Sequence, residues 1–223
     1  MRIFVTGATG FIGSNFLNIA LDAGHEILAL KRKPESKTRI TLKKEPQWLV
    51  KGLENVVQSD LGAVDMVLHL AAHSANVPYD DLATCLHWNL IVPLQFFELA
   101  RQAGIKHYIA TGTCFEYGLA GNRYELIPAS APLEPTQSYP ASKAAASIAL
   151  TQWAREHHLS LSLMRLFQVY GPGEQETRLW PSLRRAAEAG DDFPMTKGEQ
   201  VRDFIHVEKV ASILLQECLR LHA

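Results

Sequence analysis

The 223-residue chain as a whole has no excess of one charge: 22 Lys and Arg stand against 23 Asp and Glu, a net charge of −1 with histidine neutral. Tracking phosphates or docking on an acidic bilayer needs clustered cations, so nucleic acid and membrane are not expected partners and a small molecule is. Cysteine is scarce too. Cys85, Cys114 and Cys218 are odd in number, widely spaced and in no Cys-x-x-Cys arrangement, which argues against a disulfide framework and against a metal site; a reducing cytoplasm is the expected location. No apolar run reaches the roughly 18 residues of a membrane span. The N-terminus enters a glycine loop without the apolar stretch and cleavage site of a signal peptide, so secretion is not expected either.

What the chain does contain is a core. Hydrophobic residues make up 47% and charged residues 20%, which excludes disorder as the main state. Short aliphatic runs, RIFVT (2–6), EILAL (26–30), VVQ (56–58), MVLHL (66–70), HYIAT (107–111) and LSLMRL (161–166), alternate with helical patterns. The runs are continuously apolar, as in parallel strands covered on both faces, and predict an α/β doubly wound parallel Rossmann sheet. Helices are expected over 11–23, closed by Gly24, over 82–103 with a kink at Pro93, and over 141–157 just after Pro140. The polar segment 31–55 shows no clear pattern, and 119–137 and 171–180 read as loops. The natural division is a dinucleotide-binding domain over 1–165 and a partial substrate lobe over 166–223.

TGATGFIG (6–13) follows the first strand and opens the first helix. Gly7 permits the tight turn, Gly10 lets backbone N–H groups approach a pyrophosphate, and Gly13 lets the helix sit close on the strand; Phe11 and Ile12 supply N–H groups at its positive end. After the second strand, where a carboxylate would meet the adenosine ribose of NAD, stand Lys31, Arg32 and Lys33. Such cations suit the 2′-phosphate of NADP, with plain surface charge as the alternative. Asp60 and Leu61, placed after a third strand at 56–58, could accept from an adenine amino group and pack on its ring, although Asp60 also suits an ordinary turn. Tyr139 and Lys143 are four residues apart on one helical face, where the ammonium lowers the phenol pKa and can also hold the nicotinamide ribose. Thr113, just past the fifth strand, offers a hydroxyl to the reacting oxygen.

The glycine loop, LAAH (70–73) with Ala71 and Ala72, TGTCFEYG (111–118), the Tyr139/Lys143 pair, MRLFQVYGPG (164–173) and QVRDFIHVEKVA (200–211) resemble, in order, the extended short-chain dehydrogenases/reductases of the NAD-dependent epimerase/dehydratase family. The resemblance implies a nucleotide-sugar substrate, a catalytic group of Thr113, Tyr139 and Lys143, and a homodimer through the helices at 82–103 and 141–157. It also implies that Asn89 supports Lys143 through water, that Gln168 stands at a substrate contact usually made by Asn, and that Arg202 meets the phosphates of the sugar nucleotide. Dehydratases of the family carry an Asp-Glu pair directly after the catalytic Thr; here Cys114 and Phe115 stand there, so dehydration is disfavoured. The family usually continues well past residue 223, which makes the substrate lobe look incomplete, either by truncation or by natural shortening.

The expected activity is NADP-dependent reduction of a 4-keto nucleotide-diphosphate sugar, as in the synthases of 3,6-dideoxyhexoses such as paratose and abequose. The alternatives are an NAD-dependent 4-epimerase using the same three side chains, and a non-catalytic dinucleotide-binding subunit. His69 and His73 span a strand and its loop and suit a place near the cofactor better than a metal. Cys114 has no paired base, and Trp48, Trp88, Trp153 and Trp180 read as packing residues.

Overall fold

The computed structural model describes residues 1–223. Strands β1 (Arg2–Thr6), β2 (Glu26–Lys31), β3 (Gln47–Val50), β4 (Met66–His69), β5 (His107–Thr113) and β6 (Ser160–Leu166) form one sheet in the order β3-β2-β1-β4-β5-β6. All its neighbouring strands run parallel. Helices α1 (Phe11–Asp22), α2 (Leu82–Leu86), α3 (Val92–Gln102), α4 (Ser138–Glu156), α5 (Leu179–Ala189) and α6 (Val207–His222) complete the fold, with a separate parallel pair, β7 (Gln168–Tyr170) and β8 (Phe204–His206).

The continuous apolar runs are explained by burial on both sides. Ile3 and Val5 of β1, with Met66 and Leu68 of β4, pack under α1 and α6. Phe4 and Val67 point the other way, into a second core with Phe96 and Phe97 of α3 and Leu150 and Trp153 of α4. Burying each such side chain is worth roughly 1.5–3 kcal/mol, which favours this two-sided arrangement. Chain order reverses between β1 and β4, and sheets of this kind bind ligands at the carboxyl ends of the strands at such a point.

Four expectations are corrected. Residues 56–58 form no strand; the third strand of the sheet order is the short edge strand Gln47–Val50, inside the polar segment, while Val56 drops into the second core. The helix expected over 82–103 is α2 and α3 joined by a π-turn, His87–Ile91. Pro93 thereby falls in the first turn of α3, where its missing N–H leaves no bond broken. Helix α4 starts three residues earlier than expected, at Ser138, so Tyr139 and Pro140 lie inside its first turn. Finally α6, assigned to the C-terminal lobe, packs on α1: Val207, Val210, Ala211 and Leu214 share the core of β1. β7 and β8 form their own small sheet, yet Val169 and Ile205 reach the same core. No helix is long and apolar enough to cross a membrane.

Candidate active site

Gly7 has a positive φ of 68°, and a Cβ there would lie 2.6 Å from the Ala71 nitrogen, so β1 and the LAAH segment meet only because this residue is bare. A Cβ on Gly13 would fall on the Gly7 carbonyl oxygen and 2.8 Å from the Ala8 Cα. Gly10 donates its N–H to the Gly7 carbonyl (2.9 Å), and its own carbonyl accepts the first helical bond from Ser14 (2.9 Å). The N–H groups of Phe11, Ile12 and Gly13 therefore start α1 without a partner, with no side-chain cap and no acidic residue in the first turn. Three free donors at the positive end of a 12-residue helix, behind a loop a Cβ would fill, fit a dinucleotide pyrophosphate.

Next to this cradle, Thr113 ends β5, and α4 packs against the turn Cys114–Glu116 that follows it. Tyr139 and Lys143 are both buried, on successive turns of α4. Burial raises the Tyr139 phenol, and Tyr79, Glu116 and Cys114 add to the effect. Burial lowers Lys143, against the pull of the Glu116 carboxylate. The expected depression of the phenol by its lysine is thus outweighed by burial. His69, at the end of β4, is pushed down to about 3 by burial and then by the Lys143 charge, so it is neutral. Its Nδ1 lies 2.8 Å from the Thr6 hydroxyl, which also takes the Ala71 N–H (3.3 Å).

Asn89 sits on the π-turn between α2 and α3, a local widening that recurs at functional sites. Its Oδ1 accepts from the His73 N–H (2.7 Å), while its Nδ2 donates to the His73 carbonyl (3.1 Å) and the Ser142 hydroxyl (3.0 Å). It ties the loop after β4 to α4 beside Lys143. Glu116 had no place in the sequence reading, yet its side chain is 0% exposed. It accepts from the Thr113 N–H (2.8 Å), the Ser147 hydroxyl (2.7 Å) and Arg165 Nε (2.7 Å). A signal for it was present: one acid between Phe115 and Tyr117, and one arginine in the apolar run of β6. Tyr79, 5.4 Å ring to ring from Tyr139, and Arg178, whose charge acts on both tyrosines, were also missed.

The remaining residues are more dispersed. Lys31 donates to the Pro34 carbonyl (2.9 Å) and stands 5.0 Å over the Trp48 ring, whereas the exposed Arg32 is unpaired. Asp60 lies in a 3₁₀ turn, not after a strand, and its carboxylate takes the Lys51 ammonium (2.6 Å) and the Val57 N–H (2.9 Å). Leu61 is only 2% exposed among Val56, Val64 and Phe96, so the free face expected for a base ring is absent. The main chain of Leu70 and Ala71 lies against Gly7, and Ala72 follows it, exposed. Gln168 begins β7 opposite Phe204, and Arg202 is exposed just before β8, near enough for its charge to act on Cys114.

A profile of the NAD-dependent epimerase/dehydratase family matches residues 3–218. The chain is 26% identical to a UDP-glucose 4-epimerase of Corynebacterium glutamicum over 95% of its own length and 69% of that protein's. It is 27% identical to a CDP-abequose synthase of Salmonella muenchen, over 96% of this chain and 69% of the other. Among solved structures it resembles TunA, an NAD-dependent NDP-hexosamine 5,6-dehydratase of tunicamycin biosynthesis, with a TM-score of 0.84 and 29% identity over 96% of this chain and 70% of that one. It likewise resembles a UDP-N-acetylglucosamine 4-epimerase of Methanobrevibacter ruminantium, in complex with UDP-N-acetylmuramic acid, with a TM-score of 0.85 and 26% identity over 98% and 73% of the two chains.

Proposed function

The chain belongs to the NAD-dependent epimerase/dehydratase family, and from that premise we propose that it reduces a 4-keto nucleotide-diphosphate sugar with NADPH. The observation that carries this reading is the absence of a free carboxylate beside Thr113. The two following positions hold Cys114 and Phe115, and the one nearby acid, Glu116, is closed off from solvent by three donors. Elimination of water needs an acid and a base at the sugar; ketone reduction needs only a proton donor and an oxyanion partner.

Gly7, Gly10 and the N–H groups of Phe11, Ile12 and Gly13 would hold the pyrophosphate, Lys143 the nicotinamide ribose, and Ala71 and Ala72 the wall of the cleft. When bound, the reduced dinucleotide supplies hydride to the ketone carbon. Thr113 donates a hydrogen bond to the ketone oxygen and aims it at Tyr139. Tyr139 gives that oxygen its phenolic proton, and the adjacent Lys143 ammonium stabilises the phenolate left behind. Gln168 and Arg202 would face the sugar and its phosphates. The preference for NADP over NAD rests on Arg32, the unpaired cation after β2, with Lys31 beside it. Asp60 and Asn89 act by holding the loops around the dinucleotide.

An NAD-dependent 4-epimerase is the second reading, favoured by the 4-epimerases among the similar proteins. We also propose a homodimer through the α2–α3 segment and α4, whose Trp88, Ile91 and Ile148 are apolar and exposed, and residence in the cytoplasm. Incubation with NADPH and a panel of CDP-, dTDP- and UDP-linked 4-keto sugars tests the main reading: stoichiometric NADPH oxidation is expected. Interconversion of two 4-hydroxy sugars with tightly retained NAD and no net NADPH use would replace it with the epimerase.

A further inference from the structure

Glu116 is a fully buried carboxylate in the middle of the site, and the proposed reaction leaves it without a task. Its two oxygens divide their work. Oε1 accepts from the Thr113 main chain at 2.8 Å, and Oε2 accepts from Ser147 of α4 and Arg165 of β6, both at 2.7 Å. One side chain therefore joins the end of β5 to the helix that carries Tyr139 and Lys143 and to the neighbouring strand. Room for it is left by Gly112, where a Cβ would fall on Oε1. Within the same turn the Thr113 hydroxyl accepts from the Phe115 N–H (3.3 Å). A hydroxyl has one proton and two lone pairs; the bond from Phe115 takes one lone pair and fixes the direction of the oxygen, and the proton, which in this turn has only the Cys114 thiol beside it, can turn to a ligand.

We propose that Glu116, clamped by Arg165 and Ser147, is a positioning residue that fixes the main chain at Thr113 and so aims the Thr113 hydroxyl proton at the ketone oxygen. The inference rests on the role given to Thr113 in the proposed reaction. Glu116 is not itself an acid or base, because it is shut off from the cleft and both oxygens are occupied by donors. A charge-assisted set of bonds is shorter and stiffer than a neutral one, which suits a geometric task. Glutamine cannot replace it: with its carbonyl oxygen toward Thr113, its amide N–H groups face Arg165, donor against donor. Aspartate keeps the charge but is one methylene too short to span Thr113 and Arg165 together.

The test is a set of variants assayed for reduction of CDP- and dTDP-4-keto-6-deoxyglucose by NADPH. Glu116→Gln and Glu116→Asp are expected to lower kcat by roughly 30-fold or more, with KM for NADPH within about 2-fold, because misplacing a reacting group acts on the chemical step. Ser147→Ala, which leaves the ion pair intact, is expected to lower kcat about 3- to 5-fold, and it carries the test if Glu116→Gln does not fold. In a Thr113→Ala background each of these changes should cost less than about 2-fold more, since their effect is routed through that hydroxyl. Losses that multiply in the double variants, or an unchanged kcat in Glu116→Asp and Ser147→Ala, would overturn the proposal. Amide hydrogen exchange at Thr113 needs no substrate and is expected to be at least about 10-fold faster in Glu116→Asp than in the wild type. An unchanged exchange rate would overturn the anchoring of Thr113. Should the wild type reduce none of these ketones, the reaction assignment falls and the exchange rate alone decides on Glu116.

Discussion

Substitution of Gly13 by Ala separates the glycine loop's role in binding from its role in folding. The new methyl would fall on the Gly7 carbonyl oxygen, 2.8 Å from the Ala8 Cα and 2.9 Å from the Gly7 carbonyl carbon. All three obstacles are backbone, so no side chain can rotate away and the start of α1 must lift from the loop. Overpacking of this kind costs about 1–3 kcal/mol, and a rigid obstacle puts it near the upper value. At about 2–4 °C per kcal/mol for a chain of this size, Tm should fall by roughly 6–12 °C. Lifting the helix also moves the free N–H groups of Phe11, Ile12 and Gly13. Losing two charge-assisted bonds at about 1.5 kcal/mol or more each weakens dinucleotide binding by roughly 100-fold. Gly24→Ala is the control: φ is +82° but no atom lies within 4 Å of the new Cβ, so only the left-handed backbone penalty of about 1–2 kcal/mol applies. That variant should lose stability and keep its affinity. Titration calorimetry with NAD and NADPH, beside scanning calorimetry, reads both quantities. A Gly13→Ala protein that binds either dinucleotide within 3-fold of the wild type would refute the assignment of this loop as the pyrophosphate cradle.

Tyr139→Phe removes one phenolic proton and keeps the buried ring, so kcat should fall by about 10²–10⁴ with dinucleotide Kd nearly unchanged; near-normal turnover would move the proton donor elsewhere. Replacing Lys31 by Asp and Arg32 by Ser should weaken NADPH binding far more than NADH binding, and equal losses would show that neither cation reads the phosphate. His69 takes a proton near pH 6.5 when unfolded but only near 3 when folded, so the unfolded state is the more protonated between those values. Its contribution to stability is complete above pH 6.5 and declines by about 1.4 kcal/mol per pH unit as pH falls towards 3. His69→Gln should remove that slope in urea denaturation between pH 4.5 and 6.5, and an unaltered slope would mean the imidazole is not held neutral. Ile148 is 63% exposed on α4, and Ile148→Glu should yield a monomer by sedimentation if this helix forms the dimer interface; an unchanged sedimentation coefficient would exclude that face.

Much of this protein is written locally. The glycine loop, the start of α1 and its closure at Gly24 depend on φ angles and end groups of neighbouring residues, and all were legible. So were five of the six strands of the main sheet, because burial on both faces leaves a continuous apolar run. The Tyr139/Lys143 pair needed only helical spacing. What the sequence did not reveal involves distant partners. Gln47–Val50 is a strand because β2 offers it an edge, whereas the more strand-like Val56-Val57 pairs with no strand, Val56 entering the second core and Val57 staying exposed. Pro93 costs no helical bond, because the π-turn before it puts it in the first turn of α3. Glu116 and Arg165 are 49 residues apart, and each reads alone as an unexplained charge. Helix α6 completes the core beneath β1 because the sheet brings α1 beside it. Sequence by itself determined the elements whose energy comes from residues within a turn or two. The tertiary structure decided the rest, since an edge to pair with, a core to enter or a buried charge to neutralise exists only once distant segments have been brought together.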